Sequence, residues 1–93
     1  MIVAVGTFEL HFPEVHNLKA KRHVLRCLID RVKAKFNVSI AEVAYNDLWQ
    51  RSTLGIAMVA NDRILLEKMA QKIDAILSQH SEAEITDQYW DYL

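Results

Sequence analysis

A chain of 93 residues and 10.8 kDa holds one hydrophobic core, which excludes a large multi-domain catalyst. Its composition, 52% hydrophobic and 25% charged with two glycines and one proline, excludes disordered, collagen-like and low-complexity chains. The net charge of -1 conceals an imbalance: residues 16–36 carry seven cations against Asp30 alone, whereas residues 61–93 carry seven acids against three cations.

Residues 2–12, IVAVGTFELHF, predict a first strand whose even positions, Ile2, Ala4, Phe8, Leu10 and Phe12, form the more apolar row. Pro13 ends it, and Asn17 is placed to cap a helix. From 18 to 36, Leu18, Leu25, Leu28, Ile29, Val32 and Phe36 recur at helical spacing among cations, predicting a basic amphipathic helix. Residues 38–45 predict a second strand, NDLWQRS a long turn, and 54–60 a third strand. Asn61 is the second cap candidate, before the stripe Leu65, Leu66, Met69, Ile73, Ile76 and Leu77 of a helix ending near His80. Residues 83–92 complete the order as a fourth strand bearing Tyr89, Trp90 and Tyr92. Alternation sets Trp90 and Tyr92 on one face, where core closure is expected, and Tyr89 on the other.

The βαββαβ order predicts a single α+β, ferredoxin-like domain over residues 1–93, with both helices on one face of a four-stranded antiparallel sheet and the first and third strands central. Parity then leaves Val3, Val5, Thr7, Gly55, Ala57 and Val59 on the opposite face. So apolar an open face predicts a homo-oligomer that uses Val3, Val5, Thr7, Ala57 and Val59, or cover from the long turn or C-terminus. The same residues disfavour an RNA-recognition sheet, which stacks bases on aromatic side chains at these positions. The apolar runs are far shorter than the ~20 residues of a bilayer span. Without a basic leader at its start, the chain is expected to be a cytoplasmic protein with no membrane partner.

Lys19, Lys21 and Arg22 open the basic helix, where the macrodipole disfavours cations by about 0.3–1 kcal/mol each. Phosphate contact by Lys19, Lys21, Arg22, Arg26 and Lys33 explains that placement, the plainer reading being a solvated face. Trp49 either plugs the core, with Arg51 pairing to Glu42 or Asp47, or forms with Arg51 an exposed tip for a base, phosphate or protein. His11, His16, His23 and His80 lack metal-site spacing, so no metal or cofactor is expected. Cys27 reads as a packing residue, and no nucleophile motif, phosphate loop or paired carboxylates point to catalysis. No catalytic residue is therefore assigned and no enzyme activity is expected.

Two runs carry a resemblance: NLKAKRHVLRCLIDRVKAKFNVSIAEV and DLWQRSTLGIAMVAND. Their most specific parts are Leu18-Lys19-x-Lys21-Arg22, Phe36-Asn37-Val38-Ser39 and Leu48-Trp49-Gln50-Arg51. The chain, from Met1 to about Ile85, resembles the YlxP-like bacterial family of small domains of unknown function. That resemblance implies a ferredoxin-like fold and no established activity. It also implies genes that often lie between those for a translation initiation factor and a ribosome-binding factor. Together these readings predict an accessory protein that binds structured RNA or a ribosomal particle through the basic helix. The alternative is an oligomeric protein-interaction module using the sheet face.

Overall fold

The computed structural model describes residues 1–93. Its elements are β1 (Ile2–His11), α1 (Leu18–Lys35), β2 (Ser39–Ala44), β3 (Arg51–Ala60), α2 (Arg63–Ser78) and β4 (Glu84–Tyr92). The strands pair antiparallel in the order β2-β3-β1-β4, so β1 and β3 are central, and both helices cover one face: the ferredoxin-like arrangement. Neither helix is long and apolar enough to cross a membrane.

Period-two alternation decides which face is buried. Ala4, Phe8 and Leu10 of β1 and Leu54, Ile56 and Met58 of β3 join Val24, Leu25, Leu28 and Val32 of α1 and Leu66, Ala70, Ile73 and Leu77 of α2 in one core. Each large side chain buried there contributes about 1.5–3 kcal/mol. Gly6 lies on this face opposite Trp90, whose indole covers it so closely that an added Cβ would stand 2.7 Å from the ring. The same indole meets Phe8 edge-on at 5.7 Å and donates its Nε1–H to Asp74 at 3.0 Å. Burial raises the Asp74 carboxyl above its ordinary value, and the indole hydrogen bond offsets part of that. Tyr92 packs on the same face with the Arg63 guanidinium 4.9 Å from its ring centre, whereas Tyr89 is exposed. Trp90 and Tyr92 therefore close the core, as alternation predicts.

Several boundaries differ from expectation for local reasons. Asn17 caps α1 as expected, accepting the Ala20 N–H at 2.8 Å. The cap of α2 is Asp62 and not Asn61, its carboxylate accepting the Ile64 N–H at 2.9 Å. Strand β3 begins at Arg51, three residues early, because its buried polar residues find partners on neighbouring strands. Ser52 donates to Glu42 at 2.7 Å, and the Thr53 hydroxyl lies 2.8 and 2.9 Å from the two Glu9 oxygens. A bulge between Glu42 and Ala44 sets Val43 over Gly55, and Tyr45 then takes a left-handed conformation with φ 63°.

Candidate nucleic-acid interface

Helix α1 divides its seven cations among three directions. Lys19, Arg22 and Arg26 are exposed and line one shallow groove with His23. At 3.6 residues per turn, Lys33 falls on the same flank as Arg22 and Arg26. Arg31 and Lys35 turn toward α2, where they border grooves containing Ile76 and Gln79. No carboxylate lies within 4.0 Å of any of these six charges.

Lys21 points inward and corrects the expectation that it meets phosphate: it is 1% exposed. Its ammonium lies 2.8 Å from Glu42 Oε2, donates to the Tyr45 carbonyl at 2.6 Å, and donates to the Leu48 carbonyl. An ammonium has three hydrogens, and here each has an acceptor, which is the condition for burying a charge. Its position on the helix carried the signal, since Lys21 stands three, four, seven and eleven residues before the buried Val24, Leu25, Leu28 and Val32.

Trp49 is 47% exposed, so it is not a core plug. Its ring meets that of His16 edge-on, with centroids 6.4 Å apart, just before the Asn17 cap. The tip therefore adjoins the end of α1 that carries Lys19. Arg51 pairs with neither Glu42 nor Asp47: it lies 3.8 Å from Glu9 and stacks over the Tyr45 ring at 4.1 Å. Glu42 is held instead by Lys21 and Ser52, so Arg51 braces the base of the loop.

The sequence imbalance of charge is also an imbalance in space. Helix α1 packs over the β2 side, where Lys21 meets Glu42, whereas Glu84, Asp87 and Asp91 lie on β4 at the far edge of the sheet. On the open face Val3 and Thr7 are half-buried, while Val5, Ala57 and Val59 are exposed; Val43 and Tyr89 flank them. The histidines are dispersed: His11 lies 3.5 Å from Glu84, His23 3.9 Å from the half-buried Cys27 Sγ, and His80 accepts the Glu82 N–H.

A small sheet backed by two helices, with a basic first helix and a Leu-Trp-Gln-Arg turn, matches the model of a family described as "Protein of unknown function (DUF503)" over residues 3–90. The chain belongs to that family. It is 46% identical over 70 residues to the uncharacterized protein YlxP of Bacillus subtilis strain 168, a match covering 75% of this chain and 76% of the relative. Among solved structures it is similar to LarC2, the C-terminal domain of a cyclometallase involved in the synthesis of the NPN cofactor of lactate racemase, in its apo form. That alignment covers all of this chain but 56% of the other, with 13% identity and a TM-score of 0.43.

Proposed function

We propose that this protein is a non-enzymatic cytoplasmic accessory factor that binds structured RNA or a ribosomal particle through the outer flank of α1. The observation that carries this reading is the set Lys19, Arg22, Arg26 and Lys33: four exposed cations on one flank, none with a carboxylate within 4.0 Å. Charge left uncompensated in this way favours a polyanion, whose counterions are released on contact. One of the four, Lys19, stands in the first turn of the helix, where the dipole makes a cation costly and no acid offsets it. The gene neighbourhood implied by the family points toward the translation apparatus. The test is affinity purification from native lysate with and without nuclease. Wild-type protein should recover ribosomal material that nuclease removes, and the Lys19→Glu/Arg22→Glu/Arg26→Glu variant should not. Equal recovery by both proteins overturns the assignment.

A second reading rests on the sheet face, where Val5 is 37%, Val43 61%, Val59 62% and Tyr89 65% exposed. Apolar residues grouped in this way favour self-association. Sedimentation velocity should show an oligomer that Val59→Asp dissociates; a monomer at high concentration removes this reading.

A further inference from the structure

We propose that the Tyr45–Gln50 loop is a preorganised nucleobase-recognition element positioned by Lys21, so that the RNA met by α1 carries an unpaired nucleotide beside its paired segment. This rests on the reading of α1 as a phosphate-binding face.

The loop contains neither glycine nor proline and exposes two large apolar side chains, Leu48 at 48% and Trp49 at 47%. Its backbone is nevertheless fixed at several points. Lys21 holds the Tyr45 and Leu48 carbonyls from beneath, and the Leu48 N–H donates to the Tyr45 carbonyl at 3.1 Å. The Phe12 N–H donates to the Gln50 carbonyl at 2.9 Å, and the Gln50 side chain donates to the Val15 carbonyl at 3.3 Å. Arg51 lies over the Tyr45 ring, bracing a residue whose left-handed backbone needs such support. A loop ordered before binding loses less entropy when it meets a ligand. A buried lysine spent on two loop carbonyls thus acts through Trp49 as a positioning residue.

The ligand class follows from the surroundings. Trp49 and His16 present aromatic surface beside the end of α1 where Lys19 stands without a carboxylate partner. Phosphate attraction with an adjoining π-face fits a nucleotide better than an apolar peptide. Bases inside a duplex are stacked on both faces, so along a paired segment an unpaired base is the one free to lie on the indole.

The probes are a blunt RNA duplex and the same duplex with a single-stranded overhang, labelled and titrated with protein while fluorescence anisotropy is read. Wild-type protein should bind the overhang probe roughly 5- to 150-fold more tightly, the range that stacking one base supplies. Trp49→Ala should bring the overhang affinity down to that of the blunt duplex. Lys21→Met/Glu42→Gln, checked for folding by circular dichroism, should also lose the preference while the salt dependence of binding stays as in wild type. That invariance separates a positioning role from a phosphate contact. Equal affinity of wild-type protein for both probes overturns the loop proposal and leaves the α1 reading standing. A preference that survives the double substitution overturns the role of Lys21. Binding to neither probe overturns the α1 reading and the loop proposal together, and a protein partner that is retained after nuclease and lost with Trp49→Ala overturns the loop proposal.

Discussion

The Lys21 ammonium and the Glu42 carboxylate, 2.8 Å apart, join helix α1 to the edge strand β2 beneath the loop that carries Trp49. With Lys21 1% exposed, removing it leaves the Glu42 charge partly buried without its cation and the Leu48 carbonyl without its donor, while the Tyr45 carbonyl keeps only the Leu48 N–H. Lys21→Met is expected to cost about 3 kcal/mol or more, the usual penalty for breaking a buried pair. Lys21→Met/Glu42→Gln should cost less than the single change, because the neutral amide can still accept from Ser52. Urea unfolding of the two variants checks the order.

Lys19 stands in the first turn of α1, which has no acidic residue. Lys19→Glu should therefore raise stability by about 0.3–1 kcal/mol while weakening RNA binding. Opposite signs in thermal unfolding and in RNA titration would mark a residue kept for contact at the expense of its helix.

Gly6→Ala places a Cβ 2.7 Å from the Trp90 ring. The indole is held by Phe8 and Asp74 and cannot give way freely. The substitution should cost about 1–3 kcal/mol, as overpacked cores do, and should shift the Trp90 fluorescence. Trp90→Leu in the same chain should recover part of the loss.

Asp74 has its carboxyl raised, first by burial and then less the effect of the Trp90 hydrogen bond. The folded chain thus holds the Asp74 proton to higher pH than the unfolded chain does. The carboxylate lowers stability at pH above its folded pKa, and the loss is relieved as pH falls through that value. Asp74→Asn, which can still accept from the indole, should gain stability near neutral pH. The gain should vanish below the ordinary carboxylate value of 3.8, and unfolding measured across pH checks it.

The strand and helix order was legible because each element obeys its own period: Phe8 and Leu10 alternate with Thr7 and Glu9, and Leu25, Leu28 and Val32 recur at helical spacing. The capping shift from Asn61 to Asp62 was not legible, since both side chains can accept an amide hydrogen. The early start of β3 depends on Glu9 and Glu42 from other strands, which no local pattern contains. At the candidate interface, charge identified the outer flank of α1 correctly as exposed but grouped Lys21 with it. Residue type outweighed position there: the helical period assigns Lys21 to the buried stripe, and a lysine can follow it inside only because Glu42 and two loop carbonyls wait there. Tyr45, with φ 63° and no glycine to announce it, left the shape of the Trp49 turn to tertiary contacts.

The most direct test is the affinity of wild-type protein and of Lys19→Glu/Arg22→Glu/Arg26→Glu for a structured ribosomal RNA fragment, measured across a series of salt concentrations. The expected result is an association constant that falls steeply with salt for wild type. For the variant it should be weaker, with a log–log slope shallower by about 2 to 3, since each lost phosphate contact removes roughly 0.7–0.9. Its unfolding free energy should stay close to or above the wild-type value, because the three side chains are exposed and unpaired. Equal affinity and equal slope for the two proteins would contradict the assignment of α1 as the phosphate-binding face.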